Sequence, residues 1–555
     1  MKILKLILTS LVVLAISITG CKKSDFVEIN TDPNVLYTIT PEEHFLGLGI
    51  QIHRQDFEQF YDNLRRTMFW MQQSTPLGGN SATSLAEFGN TNYRFGVFYP
   101  GVGRIATDVS VLAQRLPEVE KAKRQHVVAM AEVLKIYYGF YVSDINGHLA
   151  YSEAFIAPYG GTNTPKWESQ QELFGLWDTQ LKQLVTTLRT ATPNQVSLAN
   201  FDQYYGGDAM RWAKAANALR QRIAMRLTKR DLAKATAIFR ETIADAALLM
   251  STQADSWVYT AHTSFTQGGN WNPDGFRAPK PSVDFMWGSS DPRLNYFYGR
   301  NNYSQANINT AITAGILAAG TIEPMRRHIG VPVSPDVSQA APYPAWFSGR
   351  RVNGSLTMDT MSFIQHRLHQ PAFAGGDGQS FFPLINYADQ LLMRAEMAAR
   401  GITTENAQNL YNLGVRSSIE FYSQRAGLAK VADYAAVTEA QIISYLEHPL
   451  VKWDNVKSAN LIASQAFLNF YKQPNEAWAL FKRTGMPNKN TVLENEDIVL
   501  SGTVYQIPRR AIINIPAPAD LNRVNRQSSI DEMMKDPDFG ADPSVPFGRI
   551  WWDKK

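Results

Sequence analysis

The stretch GGDAMRWAKAANALRQRIAMRL, residues 206–227, decides how this chain is read. Trp212, Leu219, Ile223 and Leu227 recur at the spacing of one face of an α-helix, and nothing in the run breaks a helix. The same three- and four-residue spacing runs through Val127, Met130, Leu134, Tyr137 and Tyr141, and through Leu391, Leu392, Ala395 and Met397 up to Gly401. Upstream, in TITPEEHFLGLGI (38–50), Thr40 stands as a helix N-cap, Pro41 suits the first helical position and Glu43 completes a capping box. From there an apolar face is predicted through Phe45, Leu48 and Ile52, and on through Phe57, Phe60, Leu64, Met68 and Met71. The helices fall in pairs, with NAQNLYNLGVRSSIEFY (406–422) reading as the second member of one. The expectation is a mainly α protein, a TPR-like helix-turn-helix superhelical scaffold, although no clean repeat of about 34 residues is present.

Long segments rich in Gly, Pro, Asn and aromatics interrupt this scaffold. They are AHTSFTQGGNWNPDGFRAPKPS (261–282), VPVSPDVSQAAPYPAWFSGRRVNGS (331–355) and PAFAGGDGQSFFP (371–383). Loops of such length in a compact domain are either functional or disordered, and their aromatic content argues against disorder. Composition agrees with a packed body: of 555 residues 45% are hydrophobic, 11% aromatic and 19% charged. The 54 basic and 50 acidic residues give a formal balance of +4, too even for nucleic-acid binding driven by phosphate charge.

The chain holds 1 cysteine, Cys21, so no intrachain disulfide is available and packing must supply stability. Lys2 and Lys5 precede an apolar run from Leu6 to Ile18, shorter than the roughly 18 to 20 residues that span a bilayer. Thr19 and Gly20 then lead into Cys21, an arrangement that resembles a bacterial lipoprotein signal in which the thiol is acylated and becomes the new amino terminus. Acylation with two or more chains is enough for stable anchoring.

Several stretches together resemble the SusD/RagB family of surface nutrient-binding lipoproteins of Bacteroidetes. SDINGHLAYSEAF (143–155) is similar to the family's D-x-x-G-x-x-P-Y-S-E-A signature through Asp144, Gly147, Tyr151, Ser152, Glu153 and Ala154, with Ala150 in place of proline. The opening helix matches G-D-x-x-x-W-x-K-x-A-N-S-L-x-x-R-x-A-x-R through Gly207, Asp208, Trp212, Lys214, Ala216, Asn217, Leu219, Arg222 and Arg226, with Ala218 for serine. TPKWESQ, DPRLNYF, NYADQLLMRAEMAARG, NEAWALFKRTGMP and a closing GRIWWDK follow in the family's order. IPRRAIINIPAPADLNRVN (507–525) departs from it, since Ile515 precedes Pro516 and no glutamate follows at the expected spacing.

The resemblance implies a signal peptide at 1–20, a lipidated tether at 21–40 and a single α-helical nutrient-binding domain over 41–555. It further implies a protein tethered by Cys21 at the outer-membrane surface, capturing an oligosaccharide or another nutrient and delivering it to a TonB-dependent SusC-like transporter over which it sits as a lid. The residues themselves assign most of the matched positions to structure: Trp212 as a core anchor, Asn217 as a cap or satisfied buried amide, Asp144 and Gly147 at a helix end. Ligand contacts are expected in the excursions and near their like, at Tyr93, Trp271, Trp346 and Phe373, where a flat ring stands beside amides, guanidinium groups or glycines.

Signals for catalysis are poor. GVGRIA carries Gly101, Gly103 and Ala106 in G-x-G-x-x-A spacing but follows no buried strand, and there is no P-loop, H-E-x-x-H or G-x-S-x-G. His366 and His369 share a short stretch without evident further metal ligands. The reading is a binding protein, not an enzyme, with no cofactor and no metal. A helical glycan-degrading enzyme, whose paired carboxylates are a matter of space and not of sequence, and a TPR-type scaffold without a small ligand are the alternatives.

Overall fold

The computed structural model describes residues 39–86, 92–190 and 194–555, so Cys21 and the tether up to residue 38 lie outside the described residues. Helices dominate. The first, α1 (Pro41–His53), begins with the expected capping box: Glu43 N–H donates to Thr40 Oγ1 at 3.2 Å and Thr40 N–H to Glu43 Oε2 at 2.8 Å. After it come α2 (Arg104–Gln114), α3 (Gln125–Asn146), α4 (Gln170–Arg189), α5 (Ala209–Leu227) and α6 (Leu232–Ile243). The second half contributes α7 (Tyr387–Ala399), α8 (Ala407–Leu428), α9 (Ser458–Asn469) and α10 (Pro474–Thr484). Helices α1 and α2, α4 and α5, α5 and α6, and α7 and α8 pack as neighbours, the helix-turn-helix pairing of a TPR-like scaffold. Strands are few and short; the longest pair, β1 (Trp257–Ala261) and β2 (Ser380–Ile385), is antiparallel and sets Tyr259 opposite Phe382.

Helix α5 lies at the centre. Every residue from Ala215 to Leu227 is buried, as expected of a helix surrounded on all sides, and its alanines let neighbours approach closely. Trp212 packs edge-on against Trp257 at 5.5 Å while its indole N–H donates to Asp202 at 2.8 Å. Asn217 is the satisfied amide, donating to the carbonyls of Thr242 at 2.9 Å and Leu248 at 3.2 Å. Gly147 ends α3 at φ +75°, a conformation side chains resist, and a Cβ there would meet Met533 Sδ at 2.8 Å.

Asp144 does more than end a helix. Its carboxylate takes both Arg226 Nε at 2.9 Å and Arg226 Nη2 at 3.0 Å, and Arg226 also reaches Glu476 at 2.8 Å. Arg222, one turn earlier, pairs with Asp389 and stands 3.6 Å from Glu476. Although burial alone would raise it, Arg226 and Lys482 hold the Asp144 carboxyl below its usual range. This network joins α3, α5, α7 and α10 where two large apolar clusters meet. Helix α7 serves both clusters, with Met393 and Met397 in one and Leu391, Leu392 and Ala395 in the other.

One sequence expectation is corrected. The apolar face predicted to run unbroken from Phe45 to Met71 is interrupted: α1 stops at His53, and the chain restarts into a π-helical segment, Glu58–Thr67. The break at Arg54 and Gln55 resets the phase of the face before Phe57, and the π-helical turns that follow, which hold more residues each, shift it further. Leu64, Met68 and Met71 remain buried, but Phe57 turns outward and is 42% exposed.

Replacing Arg226 with methionine strands Asp144 without its main partner in a buried setting and is expected to cost about 3–5 kcal/mol in urea unfolding. A loss below about 1 kcal/mol would show that the network does not bind the two clusters together.

Candidate functional site

The phase slip that exposes Phe57 also builds a platform. Phe57 and Tyr61, one helical turn apart, lie 5.8 Å apart and 14° from parallel. Tyr93 joins them at 5.6 Å and 15° from Phe57 and at 5.9 Å and 25° from Tyr61. Tyr93 is placed by polar ties on both sides. Its backbone N–H donates to Asp62 at 2.9 Å, and the preceding Asn92, at φ +73°, exchanges amide hydrogen bonds of 2.7 and 2.9 Å with Asn146 at the end of α3. Three nearly parallel rings therefore stand partly exposed on one side of the π-helical segment. The Arg65 guanidinium caps the edge of this group, 5.9 Å from the Tyr61 ring.

Beside the platform is a cavity whose lining includes Glu58, Gln59, Asn63, Tyr137, Trp271, Phe382, Lys472, Gln473 and Asn475. One wall is aromatic. Strand pairing sets Phe382 opposite Tyr259, and His53, from the end of α1, stacks on Phe382 at 5.0 Å and on Tyr259 at 4.5 Å. Burial pushes the His53 imidazole down to about 3, so at neutral pH it is an uncharged flat ring. Trp271 closes this wall, edge-on to Phe382 at 5.7 Å, on a turn made by Gly268 and Gly269 at φ +75° and +55°.

The other side is polar. Glu58 accepts hydrogen bonds from the Tyr138 hydroxyl at 3.2 Å and from Tyr141, and burial raises its carboxyl against the pull of Arg94. Burial likewise pushes Asp62 up to about 8. Lys472 donates to the Leu368 carbonyl at 3.1 Å and sits over the faces of Phe381 and Phe382 at 5.2 and 5.7 Å; burial lowers its ammonium to about 7. Flat rings beside carboxamides make a surface that can stack on the C–H face of a sugar and hydrogen-bond its hydroxyls.

The four sequence-named aromatics are not brought together. Tyr93 is part of the platform and Trp271 part of the cavity wall. Trp346, half-exposed, packs edge-on against Tyr343 at 5.3 Å in a short helix outside the cavity lining. Phe373 lies 4.3 Å from His366, also outside that lining. His369 is buried 5.5 Å from the Tyr471 ring, and among the described residues no group of three His, Cys, Asp or Glu is placed to hold a metal ion. Gly103 is a packing glycine: a Cβ would meet the Phe155 ring at 2.1 Å. At the sequence level Phe57 is expected only as a core-face residue, and Tyr61, Phe382 and Lys472 are not expected at a site. The Phe57–Tyr61 spacing was visible there, but it reads equally as core.

The two kinds of aromatic should separate on substitution. Trp271→Ala is expected to cost about 3 kcal/mol or more in urea unfolding because it opens a void, whereas Phe57→Ala costs less than about 1 kcal/mol. Equal losses would mean that the platform is a packing feature.

The family model described as "Starch-binding associating with outer membrane", SusD-like, matches residues 62–511. Among solved structures, a chitin-binding protein is 20% identical, with 93% of this chain and 100% of that chain covered at a TM-score of 0.67. A chitin-binding SusD homologue from Flavobacterium johnsoniae is also 20% identical, with 93% and 99% covered at a TM-score of 0.64. A SusD homologue from Bacteroides fragilis, 20% identical, covers 93% and 100% at 0.66. At these identities the structures establish the fold alone. No curated protein matches the chain. Among the described residues no helix is long and apolar enough to cross a membrane. With the family model matching most of the chain, the central helix α5 included, the chain belongs to the SusD-like family.

Proposed function

We propose that this protein is a surface lipoprotein of the outer membrane that captures a glycan and passes it, unaltered, to a TonB-dependent SusC-like transporter. The observation that carries this reading is the partly exposed stack of Phe57, Tyr61 and Tyr93 beside a cavity walled by Trp271 and Phe382. Aromatic rings left partly in water, in a protein able to bury most of its others, are suited to a ligand face. The family's description as starch-binding and the chitin-binding relatives support a carbohydrate ligand.

Capture without chemistry fits the acids nearest the platform. Glu58 is held by the hydroxyls of Tyr138 and Tyr141, and Asp62 accepts from the Tyr93 amide and so helps place that ring. Anchoring would fall to Cys21, at the end of the lipoprotein-like signal, with the body from residue 41 onward presenting the site. Trp346 and Phe373 remain proposals for outlying contacts of a long chain.

Calorimetry of residues 22–555 against neutral and acidic oligosaccharides, with the same mixtures assayed for cleavage, tests the reading. Binding without turnover is expected, and Phe57→Ala combined with Tyr61→Ala should weaken it by about tenfold or more. Turnover would establish an enzyme instead. In cells, Cys21→Ala should shift the protein from the membrane to the soluble fraction; retention in the membrane would remove the lipid-anchor assignment.

A further inference from the structure

Several of the buried or largely buried cations in this chain meet an acid. Lys214 pairs with Asp255 at 2.8 Å, Arg220 with Asp178 at 2.7 Å, Arg226 with Asp144 at 2.9 Å and Arg293 with Asp291 at 2.7 Å. Lys472, like the buried Lys482, Arg94 and Arg510, is held without one among the described residues, and of these four it alone lines the cavity. It lines the cavity, yet among the described residues no carboxylate lies within ion-pair distance, and its ammonium has the Leu368 carbonyl and two phenyl faces as company. An ammonium with three donors and one carbonyl partner retains hydrogen-bonding capacity that a ligand can take.

The groups around it do not supply the missing charge. His369, from the short helix His366–His369, is buried and kept neutral by that burial. Glu58, across the cavity on the π-helical segment, is engaged by Tyr138 and Tyr141 and is itself shifted toward the neutral acid. Glu476, on α10, is taken by Arg226. Arg425, on α8, adds a second cation 5.9 Å from the Phe381 ring that Lys472 also faces, and its side chain has Thr260 Oγ1 as a partner in place of an acid. The cavity beside Trp271 therefore presents the Lys472 ammonium without an acid in ion-pair distance, edged by the carboxamides of Gln59, Gln473 and Asn475.

We propose that this cavity is built for an acidic glycan, one bearing a carboxylate on a sugar ring, and that Lys472 receives that carboxylate. The inference rests on the glycan-binding reading above and specifies its ligand class. The sugar face lies on the rings, the carboxamides meet hydroxyls, and the carboxylate supplies the counter-charge that the fold leaves out. A neutral sugar leaves Lys472 as it is in the free protein.

The charge can be switched without changing the sugar backbone. Oligogalacturonate and its methyl ester, and cellohexaose and its C6-oxidised counterpart, are compared by calorimetry. The free acid is expected to bind at least about tenfold tighter than its neutral partner in one of these pairs. That preference should decline as pH rises from about 6 to about 9, because Lys472 loses its proton in this range. Lys472→Met should abolish the preference, whereas Phe57→Ala should weaken acid and neutral forms alike. A readout independent of folding in the variant is the titration of labelled Lys472 in the native protein. Glucuronate should move its midpoint upward by about one unit or more, and glucose should leave it in place.

Equal binding of acid and neutral forms, or a preference that survives Lys472→Met, overturns the acidic-ligand assignment while glycan capture stands. No sugar binding at all, with no shift of Lys472 by glucuronate, overturns both. A peptide carboxylate that binds where no acidic sugar does also overturns both.

Discussion

The buried ionic network on α5 is the constraint from which the architecture follows. Arg222 and Arg226 stand one turn apart on a helix enclosed on every side, and each would be prohibitively costly there without partners. Asp144, Asp389 and Glu476 arrive from three other helices to meet them, fixing α3, α7 and α10 relative to α5. Lys482 and the indole of Trp552 complete the cluster by donating to the Asp144 carbonyl at 3.1 and 3.3 Å. Apolar packing brings the two clusters together, and the network specifies the angle and register at which they meet.

That rigidity allows the loops to be irregular. The segments carrying the site are short turns, a two-stranded ladder and a π-helical stretch, elements with little stability of their own. They hold their rings in place because they rest on α1, α3 and β2, which are tied into the core. The His53 imidazole illustrates the coupling: it belongs to the last turn of α1, stacks on both strands, and forms part of the wall that faces the cavity.

Charge is arranged differently around the α5 arginines and at the site. On α5, arginines are matched to carboxylates with two-pronged geometry. At the cavity, Lys472 is matched to rings and a carbonyl, and Glu58 is pushed by burial toward its neutral form. A complete ion pair at the cavity would fill it with a solved electrostatic problem; an incomplete one leaves specificity to what enters.

The sequence by itself determined the helices, because periodicity and caps act locally: the Thr40–Glu43 box, the enclosed face of α5 and the glycine ending α3 were all legible. It also determined the family, through motifs that the structure explains as scaffold, with Asp144, Trp212, Asn217 and Arg226 all serving the core. Tertiary structure alone decided the site. Phe57 carries the same apolar signal as Phe45 and Leu48, and a slip in helix phase, a matter of hydrogen bonding over a few residues, put it on the surface beside a tyrosine more than thirty positions away. Whether Lys472 has an acid beside it depends on which segments the fold brings near. No local pattern of residues carries that information, since ion pairing and ring stacking are properties of positions in space.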